Sequence, residues 1–164
     1  ILTGITNAQI FDLGVVSTPC IAFMTKAIGA DFGVVLTASH NPESFNGIKV
    51  FDKNGQKLSE LHEKELEQKL QNIDKNYKNQ QNFDKKQAKN VKITKITPQK
   101  YISHIMNLSK KLKDFEVAID VSGGASEKLA QRVFEKLGAR VHIIGKSKDH
   151  KINDGCGCLH LEHI

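Results

Sequence analysis

The sequence predicts an α/β protein, because short apolar runs of strand length alternate with helical patterns and the alternation restarts near the carboxy-terminal end. Ala8 to Leu13 and Asp31 to Leu36 are the first two apolar runs, and Thr18-Pro19 opens a helical pattern between them that Gly29 closes. Thr as N-cap, Pro at the first helical position and Gly just past the end are the expected punctuation of a helix. Further on, Phe115 to Val121 reads as a strand stopped by Gly123-Gly124, followed by a helix from Ser126 to Leu137 and a strand from Arg140 to Ile144. Gly138 sits where a helix end favours glycine. This second strand, helix, strand unit predicts a parallel sheet in a second domain.

The elements between these units follow from local pattern. Ile48 to Phe51 is a short strand after the loop of residues 37–47, and Asp52-Lys53-Asn54-Gly55 carries turn chemistry. From Ser59, Leu61, Leu66, Leu70 and Ile73 recur at near-helical spacing among Glu and Lys, the mark of an amphipathic surface helix. Asn72 to Asn90 is dominated by Asn, Gln, Lys and Asp, so it buries little and is expected to be an exposed, mobile connection. Pro98 then starts a helix in which Tyr101, Ile102, Ile105, Met106 and Leu112 line one side. The domain boundary is expected near Lys113, dividing residues 1–112 from residues 113–164.

Composition excludes several classes. With 39% hydrophobic and 26% charged residues the chain is ordinary for a globular protein, and no window holds the ~18 apolar residues of a membrane span. The odd set Cys20, Cys156 and Cys158, with Cys156 and Cys158 too close for structural zinc spacing, reads as reduced thiols in a cytoplasmic protein. His142, His150, His160 and His163 carry no metal reading, since His160 and His163 with Glu162 lack a third ligand in helical or hairpin register. The net charge of +6 comes from lysines between Lys85 and Lys113, where no acidic residue interrupts. That run has few arginines or aromatics for base contact, so it is read as a solvated face rather than a nucleic-acid site. Nothing in the sequence sets an oligomeric state. The chain opens on Ile1 and stops at Ile164 without a cap or tail, so both ends are expected to be cut.

The chemistry concentrates in one loop. Thr37, Ser39, His40 and Asn41 crowd polar side chains directly after an apolar strand, and ligands of α/β proteins bind at such strand ends. Pro42 restricts the backbone of Asn41, and Gly47 permits a tight return. A serine hydroxyl needs a base, or must already carry the group it transfers. His40 is its neighbour, and Lys49 on the returning strand offers charge neutralisation and proton exchange beside a phosphate. A plainer alternative is that Ser39 and Asn41 only make side-chain turns and His40 only faces water.

Thr37-Ala38-Ser39-His40-Asn41-Pro42, followed by Asn46-Gly47-Ile48-Lys49, resembles the phosphoserine loop of the α-D-phosphohexomutase superfamily. Ser17-Thr18-Pro19, Gly33-Val34-Val35-Leu36, Asp120 and Ile152-Asn153-Asp154-Gly155-Cys156-Gly157 extend the resemblance over most of the chain. It implies a phosphoglucomutase-like, three-layer α/β/α fold with a mixed sheet. Residues 1–112 would belong to an incomplete first domain, and residues 113–164 would start a second, similar one. It also implies that phosphorylated Ser39 passes its phosphoryl group to a hexosamine 6-phosphate and recovers a phosphoryl group from the resulting 1,6-bisphosphate. In that scheme Lys49 and His40 serve proton transfer and phosphate contact, Thr37 and Asn41 hold the loop, and the Ser39 phosphate is one ligand of Mg²⁺.

The remaining magnesium ligands are expected beyond Ile164, on an Asp-Gly-Asp-type loop, and an arginine-containing motif is expected before Ile1. As given, this polypeptide is therefore expected to be inactive. The chain departs from the family pattern at Val121-Ser122-Gly123-Gly124, where Asn usually precedes Gly, and at Lys151, Cys158 and Leu161, where Asn, Ser and Pro are usual. Gly123-Gly124 is read as a strand-to-helix turn rather than a phosphate cradle. Glucose or mannose phosphates stay open as substrates, and a non-catalytic remnant or lysine-rich binding module stays open as a different class.

Overall fold

Strands form where β-branched and aromatic residues run together, and the computed structural model, which describes residues 8–77, 91–146 and 151–163, places six of them among four α-helices. In chain order these are β1 (Gln9–Asp12), α1 (Thr18–Ala27), β2 (Phe32–Leu36), β3 (Ile48–Asp52), α2 (Glu60–Tyr77) and β4 (Lys92–Lys95). Then come α3 (Gln99–Leu108), β5 (Glu116–Asp120), α4 (Glu127–Leu137), β6 (Arg140–Ile144) and a short 3₁₀ turn at Leu161–His163. The chain groups into two compact units, Ile1–Gly14 with Leu58–Ile96, and Val15–Lys57 with Thr97–Ile164.

In the first unit β1 and β4 pair in parallel, with Ile10 opposite Ile93. β4 is an element that local reading of the sequence passed over, although Val91, Ile93 and Thr94 supply its β-branched signal. Helix α2 extends to Tyr77, so residues 72–77 are helical rather than part of a loose connection, because the spacing of Leu66, Leu70 and Ile73 carries the helix onward. Residues 78–90, the rest of the expected connection, lie outside the described residues. Leu61, Leu66 and Leu70 are exposed along α2.

In the second unit β2 and β3 run antiparallel, from Phe32 opposite Asp52 to Leu36 opposite Ile48. At the end of β3 the Asp52 carboxylate accepts the N–H groups of Gln56 at 2.8 Å and Asn54 at 2.9 Å, which fixes the turn at its expected place. Those two bonds, Gln56 first, hold its carboxyl below the usual carboxylate range. β5 and β6 pair in parallel from Glu116 opposite Arg140 to Asp120 opposite Ile144, with α4 packed on both as the crossover. The parallel unit expected from residues 115–144 is therefore present.

Helix α1 begins at Thr18 with Ser17 in the cap position, one residue before the expected cap. The Ser17 carbonyl accepts the first-turn N–H groups of Cys20 and Ile21, and its extended backbone, at φ −68° and ψ 152°, is what a cap residue adopts. At the other end Gly29 N–H donates to Lys26 and Ala30 N–H to Thr25, a paired closure that Gly138 and Ala139 repeat at the end of α4.

The apolar cluster of this unit takes in the face of α3 that its periodicity predicts and joins it to α4. Ile102, Val133 and Leu137 are buried together, and Ile105, Met106, Leu112 and Leu129 pack around them. Full burial of such side chains contributes on the order of 1.5–3 kcal/mol each. Phe23 of α1 adds contacts to α3, with ring centroids 5.5 Å from Tyr101 and 4.5 Å from His104. No helix of the described residues is long and apolar enough to cross a membrane.

Candidate functional site

The loop of residues 37–47 leaves the end of β2 and returns into β3, so the antiparallel ladder fixes both of its ends. Its neck is one hydrogen bond, from Thr37 N–H to the Gly47 carbonyl at 2.9 Å. Inside it, Asn41 N–H donates to the Ala38 carbonyl at 3.1 Å and Phe45 N–H to the Pro42 carbonyl at 3.0 Å, so two successive tight turns carry the chain around.

Ser39 lies at the first of these turns with φ at +59°, in the left-handed region, which costs an L-residue roughly 1–2 kcal/mol. Two observations show what holds it there. Thr37 Oγ1 accepts the Ser39 N–H at 3.0 Å, so the threonine hydroxyl makes the turn. The side-chain amide of Asn153, at Nδ2, donates to the Ser39 carbonyl at 3.0 Å and to the Asn41 carbonyl at 2.9 Å. The Ser39 side chain takes no part in this scaffold, and the residue is exposed.

Asn153 is itself anchored. Its N–H donates to the Ser122 carbonyl at 2.9 Å, and it too is left-handed, at φ +61°, a conformation asparagine tolerates better than most residues. Ser122, left-handed at φ +51°, donates its N–H to Asp120 Oδ1 at 2.8 Å. The other oxygen of that carboxylate, Oδ2, accepts the Gly157 N–H at 2.8 Å. One carboxylate at the end of β5 thereby ties the turn after β5 to the segment 153–157. The N–H groups of Gly123 and Gly124 are taken by the Gly145 and Val121 carbonyls, as a strand-to-helix turn requires.

Thr37, Ser39 and Asn41 thus share one hydrogen-bonded turn, with His40 exposed at its tip. Lys49 stands on β3 opposite Val35, half-buried at the base of the loop. Sequence reasoning gave no role to Asn153. Its signal was the Asn-Asp-Gly pattern of a left-handed turn, but a turn signature does not say which distant backbone the amide reaches.

The loop geometry gains its meaning from comparison. Residues 2–77 match the family model described as phosphoglucomutase/phosphomannomutase, alpha/beta/alpha domain I. A phosphoglucosamine mutase of Clostridium perfringens is 38% identical over 161 residues, covering 96% of this chain and 35% of that protein. A phosphoglucosamine mutase of Caldicellulosiruptor bescii is 37% identical over 164 residues, covering 98% of this chain and 36% of that protein. A solved phosphoglucomutase/phosphomannomutase family protein of Burkholderia thailandensis shares the fold, with a TM-score of 0.67 at 21% identity over 88% of this chain and 31% of that one. The phosphoglucomutase-like α/β/α architecture is therefore the fold of this chain. It spans about a third of the length of the curated relatives it matches.

Mg²⁺ takes oxygen ligands in a near-octahedral array. A phosphate on Ser39 would give one such oxygen, but among the described residues no three His, Cys, Asp or Glu side chains gather to complete a shell. These residues alone do not fit a magnesium ion.

Proposed function

We propose that this chain supplies the phosphoseryl loop of a cytoplasmic phosphoglucosamine mutase, which interconverts glucosamine 6-phosphate and glucosamine 1-phosphate. The observation that carries the reading is the backbone of Ser39. It is held left-handed by groups other than its own side chain, which leaves its hydroxyl exposed for chemistry. Identity of 34–39% to phosphoglucosamine mutases over nearly the whole chain supports the substrate class.

In the proposed cycle the phosphoryl group leaves Ser39 Oγ for the free hydroxyl of the sugar monophosphate, giving a 1,6-bisphosphate and a serine hydroxyl. The bisphosphate turns over and returns its other phosphoryl group to Ser39. Each step exchanges one phosphorus–oxygen bond for another, and the proton of the attacking hydroxyl needs an acceptor. Lys49 is assigned the proton transfer, taking that proton as the neutral amine, after which the ammonium offsets phosphate charge and a proton passes on to the departing Ser39 Oγ. His40 is assigned phosphate contact, and Thr37 and Asn41 keep the loop in place. Phosphoryl transfer depends mainly on positioning and electrostatics, which a rigid loop serves.

In this reading Mg²⁺ is the cofactor, bound through the Ser39 phosphate and ligands outside the described residues, and a hexose 1,6-bisphosphate primes the serine. The product would feed UDP-N-acetylglucosamine synthesis. Residues 1–112 are assigned to a first domain and residues 113–164 to the opening of a second.

The test is Ser39→Ala in the full-length gene product, assayed with glucosamine, glucose and mannose phosphates. Near-complete loss of mutase activity is expected, with glucosamine phosphate the best substrate of the unaltered protein. Retained turnover in the variant would remove Ser39 as the phosphoryl carrier. Preference for glucose or mannose phosphate would reassign the substrate within the family.

A further inference from the structure

We infer that Asn153 is a positioning residue for phosphoryl transfer, acting as a clamp on the backbone of the loop that carries Ser39. The inference rests on the proposed role of Ser39 and adds what holds that serine ready. Three features of the geometry support it.

First, a single amide nitrogen meets two carbonyl oxygens of the same turn, those of Ser39 at 3.0 Å and Asn41 at 2.9 Å. A primary amide has two N–H donors, so both bonds form at once and fix the residues on either side of His40 relative to one another. Second, the clamp reaches across 114 positions of sequence and adds a tertiary tie on the carbonyl side of Ser39 to the local bond that Thr37 Oγ1 accepts from its N–H. Third, Asn153 is held at its own backbone by Ser122, and Ser122 by the Asp120 carboxylate at the end of β5. The donor is therefore aimed by the parallel β5–β6 unit rather than by a free surface chain.

Ser39 occupies a left-handed backbone that an L-residue leaves when nothing holds it. If the clamp is lost, Ser39 samples other backbone conformations and its Oγ no longer points in one direction. Because the atom displaced is the reacting one, kcat is expected to fall by more than KM changes. Misplacement of a reacting group by about 1 Å is worth on the order of 100-fold in rate.

The experiment uses the full-length protein with Asn153→Gly and Asn153→Asp. Glycine keeps the positive φ and the N–H to Ser122 and deletes only the amide. Aspartate keeps the shape and replaces the N–H₂ donor by a carboxylate oxygen facing two carbonyls. Each variant is phosphorylated on Ser39 with labelled glucose 1,6-bisphosphate and mixed with glucosamine 6-phosphate in a single turnover. Thermal unfolding and KM are measured alongside. Expected is a loss of at least ~10-fold in the transfer rate and in kcat, with KM within about 3-fold and the unfolding midpoint little changed.

Transfer at the unaltered rate in both variants would overturn the clamp. So would a loss explained by unfolding in both, which would make Asn153 a stability residue only. If the unaltered protein is inactive, or Ser39→Ala is fully active, the underlying functional reading fails instead. That outcome is separable, because it is read before any Asn153 variant is made.

Discussion

Thr37 and Gly47 close the neck of the loop so tightly that a Cβ on Gly47 would stand 2.9 Å from the Thr37 carbonyl oxygen. The same pair is joined the other way by the Thr37 N–H, which donates to the Gly47 carbonyl at 2.9 Å. Because the obstructing oxygen is backbone, it does not swing aside as a side chain would. Gly47→Ala is expected to lower stability by about 1–3 kcal/mol and to reduce turnover with it. Thermal unfolding and steady-state assay of the full-length protein check both, and unaltered values would show that the neck yields freely.

Lys49 sits in the ladder opposite Val35, and β3 remains paired whatever its side chain ends in. Lys49→Met keeps the length and apolar stem and removes the ammonium. Turnover is expected to fall by about 10²-fold or more, as for loss of a proton-transfer group, with the unfolding midpoint near its original value. An unchanged rate would take Lys49 out of the mechanism.

Gly145 borders the Asp120 carboxylate, and a Cβ there would overlap Asp120 Oδ1. Gly145 is also left-handed, at φ +65°, so any side chain is strained as well as obstructed. Gly145→Ala is expected to displace the carboxylate that receives the Ser122 and Gly157 N–H groups, at a cost of about 1–3 kcal/mol. Chemical denaturation measures the loss. A variant as stable as the original would mean that the carboxylate finds an equivalent position.

The three thiols differ in environment. Cys20 and Cys156 are buried and Cys158 is exposed. Burial pushes the Cys20 thiol up from 9.0 to about 11, and burial followed by the Asp120 and Asp154 carboxylates raises Cys156. Cys158→Ser is therefore expected to remove a fast-labelling thiol from the native protein, which timed alkylation reads.

The Cys20 shift also has a pH consequence. Below pH 9 the thiol is neutral in both folded and unfolded chains. Between 9 and about 11 the unfolded chain loses a proton that the folded one keeps, so stability falls as pH rises through that window. Denaturation midpoints at pH 8.5 and 10.5 are expected to differ less in Cys20→Ala than in the unaltered protein.

Much of this was legible from the sequence because it is local. The ends of α1 and α4 follow from Pro19, Gly29 and Gly138, the core face of α3 from the spacing of Ile102, Ile105 and Met106, and the loop from its polar crowding after β2. Where local signals were short or ambiguous the reading slipped. The cap of α1 moved from Thr18 to Ser17, because Ser and Thr are both good caps and only the carbonyl accepting the first-turn bonds decides between them. β4 is four residues long beside a polar tract, too short a run to stand out by alternation.

The sequence by itself determined most of the elements, the polar loop around Ser39 and the family resemblance, since these depend on residues within a few positions of one another. Only the tertiary structure decided that β1 pairs with β4, that Asp120 organises the turn holding Asn153, and that Asn153 grips the backbone on either side of His40. Those contacts join residues as many as 114 positions apart. Their formation is governed by packing and by the entropy of closing long loops, neither of which leaves a mark in any short window of sequence.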